Sequence, residues 1–126
     1  MSDKNYLKIG GLSAYKISYD LGSKVWSLIL KWDYFARDTV GKQLARSVDS
    51  ISANIAEGFG RFHKKDRIKF YYNARGSVFE AQCWLKKAKD RDLIIDKEFE
   101  EILGELRQLP KEINQLIKFT NEKLTI

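Results

Sequence analysis

The sequence predicts an all-α protein, an antiparallel up-down-up-down four-helix bundle, and three observations support this. Apolar residues recur at intervals of three and four, the period of an amphipathic helix, in four successive segments. No run of four to eight residues alternates convincingly between apolar and polar, and hairpin signals such as Asn-Gly are missing. The breaks between the segments are short, and short connections make successive helices antiparallel.

The length and composition indicate one soluble domain over residues 1–126. Hydrophobic residues make up 44% of the chain and charged residues 32%, which is typical of a globular domain with a modest core. Pro110 is the only proline, and Gly/Pro-rich linkers are missing, which argues against a second domain.

The first two segments carry apolar stripes at helical spacing. The second stripe falls within about 60° on a helical wheel, at about 100° per residue. Asp38 and Thr39 are predicted to cap the second helix, and Gly58 and Gly60 to close it. The first stripe is Tyr15, Ile17, Val25, Trp26, Ile29, Trp32 and Ala36, and the second is Leu44, Val48, Ile51, Ile55 and Phe59.

The third and fourth segments complete the predicted bundle. The fourth alternates strictly by three and four, a pattern of coiled-coil-like packing. Asp96 is predicted to cap it, with Glu98 and Glu100 in its first turn. Pro110 should kink or locally open this helix because proline removes a backbone donor. The third stripe is Phe70, Ala74, Val78, Ala81, Leu85 and Ala88, and the fourth is Phe99, Ile102, Leu106, Leu109, Ile113 and Leu116.

Cysteine usage and hydropathy predict a cytoplasmic protein. The single cysteine, Cys83, excludes an intrachain disulfide and fits a reducing compartment. The first residues, MSDKNYLKIGG, lack the apolar core of a signal peptide. No apolar stretch approaches the roughly 20 residues needed to cross a bilayer, so no membrane partner is expected.

Nothing in the sequence demands an enzyme, and we predict no catalytic residue, cofactor or metal. Di-metal carboxylate sites in bundles need Glu-x-x-His pairs on two helices, whereas His63 is the only histidine. One histidine and Cys83 cannot fill a zinc tetrahedron. Residues 58–63, GFGRFH, lack the third glycine and the preceding strand of a dinucleotide-binding fingerprint, and no Walker A loop is present.

Two weaker arrangements have ordinary structural interpretations, which we favour. Ser77, His63 and Asp66 form a Ser-His-Asp set on paper, but nothing orients His63, which we expect to be an exposed loop residue. Cys83 lies beside two lysines, as a reactive thiol would, but a small, partly buried helix residue is the commoner case.

Positive charge is concentrated in one part of the chain. The net charge is +6, and residues 61–92 alone carry ten Lys and Arg against four Asp and Glu. Lys64 and Lys65 fall near a predicted helix N-terminus, where cations are disfavoured and a bound anion is favoured. A localised basic region is a candidate footprint for RNA or DNA. The predicted nucleic-acid-binding residues are Arg61, Lys64, Lys65, Arg67, Lys69, Lys86, Lys87 and Lys89.

A second, polar stripe accompanies the apolar one in the second helix, roughly 120° away on the wheel. Serine, asparagine and glycine are weaker helix formers than the lysine and glutamate of solvated faces, so we interpret the stripe as a contact, within or between subunits. The stripe is Ser47, Ser50, Asn54, Glu57 and Arg61, and a similar band of the third helix is Asn73, Gly76, Ser77 and Glu80.

Two motifs resemble the family of small bacterial four-helix bundle proteins encoded in intervening sequences of large-subunit ribosomal RNA genes. The first, S-I-x-x-N-I-A-E-G-x-G-R, covers residues 50–61, and the second, F-x-x-x-A-R-G-S-x-x-E, covers residues 70–80. The accessory variability determinant proteins of diversity-generating retroelements are similar. The motif positions singled out are Ser50, Asn54, Glu57, Gly58 and Gly60, then Arg75, Gly76, Ser77 and Glu80.

This resemblance implies a homopentamer, in which five bundles close into a barrel. It also implies that nucleic acid and a reverse transcriptase are candidate partners, because the retroelement relatives bind both through basic surface. Within the subunit or between subunits, Asn54, Glu57, Arg75 and Glu80 become candidate hydrogen-bonding partners.

Two functions remain open from the sequence. In the first, the protein is an oligomeric scaffold that binds RNA or DNA, with Tyr72 and Phe79 able to stack bases beside the cations of the third helix. In the second, it is a structural or adaptor oligomer with a protein partner, and Tyr72 and Phe79 anchor an interface. The second interpretation is the stronger one for Phe79.

Overall fold

A computed structural model describes residues 12–124, and this part of the chain contains helices and no strand. The prediction of an all-helical protein is confirmed. The N-terminal residues, for which the sequence predicts no signal peptide, lie outside the described residues. The elements are α1 (Ser13–Ile29), the short α2 (Tyr34–Ala36), a π-helical turn (Arg37–Gly41), α3 (Lys42–Phe59), α4 (Lys64–Asp90) and α5 (Asp96–Lys123).

The four long helices form a ring in which neighbours are antiparallel. α3 packs against α1 and α4, and α5 packs against α4 and α1, so α1 and α4 lie across a diagonal. Residue numbers rise on one helix as they fall on the next: Gln82 of α4 bonds Leu106 of α5, and Arg75 bonds Asn114. The connections are only four or five residues long, as the sequence predicts.

The apolar stripes of α3, α4 and α5 form the core. Their members are almost completely buried, with Phe59 and Phe99 packed partly buried at the edge. In α4, Tyr71 rather than the predicted Phe70 is the aromatic residue of the core, 1% exposed, and burial raises the pKa of its hydroxyl. Phe70 is only partly buried, one position away on the wheel.

The predicted stripe of α1 is partly wrong. Trp26 is 58% exposed, and α1 ends at Ile29, before Trp32 and Ala36. The face that enters the core includes small residues that a count of apolar positions misses. Ser18 belongs to it because its hydroxyl donates to the Ala14 carbonyl at 2.7 Å, which satisfies the buried polar group. The buried residues of α1 are Ala14, Ser18, Leu21, Gly22, Val25, Leu28 and Ile29.

The second helix begins earlier than the sequence predicts. Asp33, not Asp38 or Thr39, is the N-cap, and its carboxylate accepts from the Ala36 amide at 2.9 Å. Asp38 and Thr39 lie in the π-helical turn that joins α2 to α3. Buried positions there are spaced by four, and a π turn, with its wider i→i+5 bonding, keeps such positions on one face. The buried positions from α2 into α3 are Ala36, Val40, Leu44 and Val48.

The last helix also begins differently. Ile95 occupies the N-cap position, Asp96 is the first helical residue, and Glu98 accepts from the Ile95 amide at 3.4 Å. The predicted cap at Asp96 is therefore wrong. α5 remains helical through Pro110.

The turn before α5 stops α4 with a paired set of backbone bonds. Asp92 adopts a left-handed conformation with φ 58°, and its amide bonds the Lys89 carbonyl. The next amide, of Leu93, bonds the Ala88 carbonyl at 2.9 Å. These two bonds form a Schellman motif, which satisfies carbonyls at the end of the helix.

Gly58 is the point at which α3 and α4 approach most closely in the loop region. A Cβ added there would lie 2.7 Å from the Tyr71 ring and 2.9 Å from the Arg67 carbonyl oxygen. Gly60, by contrast, is the C-cap of α3 and leaves ordinary space for a side chain.

Candidate interaction surfaces

The predicted nucleic-acid-binding residues separate into two groups along α4. Arg61 lies in the connection before α4, and Lys64, Lys65, Arg67 and Lys69 lie in its first two turns. The remaining lysines, Lys86, Lys87 and Lys89, lie in its last turns. At about 1.5 Å per residue the two groups are about 33 Å apart.

The arginines of the first group support the α3–α4 connection. Arg61 forms a 2.6 Å ion pair with Glu57, and its guanidinium lies over the Phe70 ring at 4.7 Å. Arg67 donates from Nε to the Arg61 carbonyl at 2.7 Å and lies over the Phe59 ring. Both side chains therefore have intramolecular partners.

The lysines of the first group are different. Within residues 12–124, Lys64, Lys65 and Lys69 have neither an ion pair nor a side-chain hydrogen bond. Lys64 is the first residue of α4, where the helix dipole disfavours a cation by about 0.3–1 kcal/mol. Phe62, 69% exposed, lies beside them, and the sequence patterns do not single it out. We call Lys64, Lys65 and Lys69 the lysine cluster.

Two of the three lysines at the other end of α4 have partners. Lys89 pairs with Asp96 at 2.8 Å, which raises the pKa of its ammonium group. Lys87 lies over the Trp84 ring at 5.5 Å. Lys86 is exposed. This group therefore offers less free positive charge than the lysine cluster.

The polar stripe of α3 forms its hydrogen bonds locally. Ser47 is buried and donates to the Leu44 carbonyl at 3.0 Å, and Asn54 donates to the Ser50 carbonyl at 2.8 Å. Ser47, Ser50 and Asn54 are at least partly buried, whereas Glu57 is exposed and pairs with Arg61.

The motif residues of α4 face several directions. Arg75 donates to the Asn114 side chain at 2.7 Å and lies over the Tyr72 ring, so it joins α4 to α5. Ser77 donates to the Asn73 carbonyl of its own helix. Gly76 and Glu80 are exposed. The four candidate partners Asn54, Glu57, Arg75 and Glu80 are not brought together.

Exposed aromatic side chains occupy two sides of the bundle. Tyr72 and Phe79, 48% and 55% exposed, lie seven residues apart on the outer face of α4. With Lys86, seven residues further along, they form a stripe that we call the α4 ridge. The second group lies on α1 and the turn after it, and apolar spacing does not predict it because that spacing places Trp26 in the core. Its members are Tyr19, Trp26, Leu30, Tyr34 and Phe35.

An apolar groove lies beside this second group. It has a volume of about 640 Å³ and runs between α1 and the start of α3. Trp26, Leu30 and Tyr34 form one wall, and Ala45 and Ala53 form part of the other. We call it the α1–α3 groove. A smaller groove of about 470 Å³ continues from it and shares Trp26 and Asp49 as lining residues.

Asp49 is the acidic group at the junction of the two grooves. Its carboxylate oxygen lies 2.6 Å from where a Gly22 Cβ would be, so glycine at that position provides the space it occupies. Partial burial raises the pKa of the Asp49 carboxyl. In the described part of the chain Asp49 has no ion pair, so its charge is not neutralised within the subunit.

The structure offers little support for catalytic chemistry. His63 is exposed beside Asp66, with 4.0 Å between Nδ1 and the carboxylate, and Ser77 lies 14 residues along, about 21 Å away on the helix. Cys83 is exposed, so the expectation of partial burial is wrong. Within residues 12–124 no group of three His, Cys, Asp or Glu side chains could hold a metal ion.

The helices are also unlike membrane spans. From Leu12 to Leu124, none is both long enough and apolar enough to cross a bilayer.

Comparisons with known proteins agree with this architecture. Residues 11–115 match the family model described as 23S rRNA-intervening sequence protein. A solved structure from Bacteroides thetaiotaomicron VPI-5482, described as a protein with unknown function from the S23 ribosomal protein family, is similar in fold, with a TM-score of 0.74. The two chains are 23% identical, and the match covers 83% of this chain and 98% of that one. No curated protein matches the sequence.

Proposed function

Because the chain belongs to the 23S rRNA-intervening sequence protein family, we propose that it is a non-enzymatic oligomeric bundle that binds RNA through the lysine cluster. The proposal goes beyond the similar solved structure, which is described as a protein with unknown function. The observation that carries it is the position of three lysines without partners in the described structure, at the start of a long helix.

Charge placement supports an anionic ligand at this end of the bundle. Intramolecular acceptors occupy Arg61 and Arg67, whereas Lys64, Lys65 and Lys69 are available to phosphate oxygens. Amides at the start of α4 add a weak preference for anions. No base-reading motif accompanies the cluster, so binding should depend on salt and show little sequence preference. Lys86 and Lys87 extend the basic surface at the far end of α4.

Replacing the lysine cluster tests this proposal. The variant Lys64→Gln/Lys65→Gln/Lys69→Gln should bind single-stranded RNA about tenfold more weakly at low salt, because each subunit then lacks three cations that can meet phosphates. The slope of log K against log salt should flatten by about 0.7 for each phosphate contact removed. Fluorescence anisotropy over a salt series measures both quantities, and a DNA oligonucleotide of the same sequence compares the two nucleic acids.

A matched variant removes the same charge elsewhere. Lys111, Lys118 and Lys123 are exposed on α5, so Lys111→Gln/Lys118→Gln/Lys123→Gln should retain most of the affinity and the slope. Equal weakening by both triple variants would indicate only a non-specific effect of net charge. Unmodified protein that fails to bind RNA at low salt would refute the proposal.

We further propose that the oligomer is a homopentamer, a number that rests on the family resemblance. Exposed aromatic residues on two sides of the bundle support association, because contiguous apolar surface of this kind marks interaction sites. Light scattering coupled to size exclusion should report a pentamer rather than a 14.7 kDa monomer. A mass of one chain at all concentrations would contradict it.

The second candidate function is a structural or adaptor oligomer with a protein partner. The exposure of Trp26, Leu30 and Tyr34 beside an apolar groove favours it, since grooves of this kind accept protein segments. A reverse transcriptase partner and the relationship to retroelement proteins rest on the sequence resemblance alone. If RNA binding is not detected, the adaptor function becomes the better explanation of the surface.

A further inference from the structure

We propose that the α4 ridge of one subunit docks into the α1–α3 groove of the next subunit, in a head-to-tail contact. This inference rests on the proposed oligomer and deepens it by assigning the two surfaces that meet. The ridge is Tyr72, Phe79 and Lys86, and Trp26, Leu30, Tyr34, Ala45, Ala53 and Asp49 line the groove.

The two apolar surfaces lie on diagonally opposed helices, and this decides the type of contact. α1 and α4 are both neighbours of α3 and α5 but not of each other. A two-fold contact that buries the groove against its own copy leaves the ridge exposed, and the converse is equally true. A head-to-tail contact covers both surfaces with one interface, and repeating it generates a closed ring or a filament.

The shapes of the two surfaces are complementary. Tyr72 and Phe79 are spaced by seven residues, so they project as one ridge from two successive pairs of helical turns. The groove offers a floor of small side chains, Ala45 and Ala53, between the larger walls. Aromatic side chains entering such a groove become the buried anchors typical of protein interfaces.

The charges also favour a second copy as the occupant. Asp49 lies at the junction of the two grooves and has no ion pair in the described structure. The ridge carries Lys86, which also lacks an ion pair among the described residues. Docking would bring an unneutralised carboxylate towards a basic helix, and this charge complementarity opposes the reversed pairing of two like surfaces.

Complementation between two variants tests the arrangement. Trp26→Asp damages the groove and keeps the ridge, whereas Phe79→Asp damages the ridge and keeps the groove. Each variant alone should be a monomer at micromolar concentration, because a buried carboxylate opposes each of its contacts. Their equimolar mixture retains one intact pairing, ridge of the first with groove of the second, and should form a heterodimer.

Size exclusion with light scattering measures all three samples, and circular dichroism checks that the variants fold. Both positions are more than half exposed, so folding should be retained. Leu30→Asp and Tyr72→Asp are a second pair with the same design. The control Ile95→Asp places the same charge at another exposed apolar residue, outside both surfaces, and should assemble like the unmodified protein.

The outcomes separate this inference from the proposed oligomer. If the unmodified protein assembles and the folded variants still assemble, or if their mixture remains monomeric, the head-to-tail contact is wrong and the oligomer stands. An unmodified protein that is monomeric overturns both. Asp49→Lys, which places like charge opposite Lys86, should weaken assembly, and unchanged assembly would contradict the charge argument.

Discussion

Leu106→Ala is expected to lower the free energy of unfolding by about 2–5 kcal/mol. Leu106 is completely buried in α5, and its removal leaves a cavity that helices on both sides cannot close without moving. The destabilisation combines the smaller apolar side chain transferred into the core with the weaker packing of the residues that line the cavity. Urea denaturation followed by circular dichroism measures it, at one fixed protein concentration because association stabilises the folded state.

An exposed aliphatic residue at the start of the same helix provides the comparison. Ile95 is 64% exposed and makes no side-chain capping bond, so Ile95→Ala should change stability by less than about 0.5 kcal/mol. Similar losses in the two variants would show that the stripe of α5 does not form the core.

Gly58→Ala is expected to destabilise the fold by about 1–3 kcal/mol. The added methyl group would lie 2.9 Å from the Arg67 carbonyl, a backbone atom, so α3 and α4 must separate locally to accommodate it. This cost exceeds the gain of about 1 kcal/mol that alanine brings to a helix relative to glycine. Urea denaturation measures the change.

Gly104→Ala is the matched control. Gly104 lies inside α5, and a Cβ there would meet no atom within 4 Å. Helix propensity alone then acts, and the substitution should raise stability by about 0.5–1 kcal/mol. If Gly58→Ala were also stabilising, the close approach of the two helices at Gly58 would be wrong.

The candidate surfaces are only partly predictable from the sequence. Local charge density identifies the lysine cluster, because Lys64 and Lys65 are adjacent to the start of a helix. It cannot separate those lysines from Arg61 and Arg67, whose acceptors are a neighbouring side chain and a backbone carbonyl six residues away. Lys89 is similarly included although Asp96, across the connection to α5, pairs with it.

The groove escapes prediction for a related reason. Trp26 fits the three-four spacing of an apolar stripe, and spacing alone does not say which of two overlapping stripes faces the core. Ser18, a polar residue, occupies the buried face because its hydroxyl bonds the preceding turn. The aromatic residues of α1 are therefore left on the surface, where Trp26 lines the α1–α3 groove.

The sequence by itself determined the helical class, the four segments and the core faces of α3, α4 and α5, because these depend on the periodicity of apolar residues along one helix. Only the tertiary structure decided where α2 and α5 begin, which face of α1 is buried and which cations have partners. Each of these depends on contacts between residues of different elements or on hydrogen bonds that compete locally. Sequence spacing contains no distance between α1 and α3, so neither Gly22 beside Asp49 nor the groove next to them could be predicted from it.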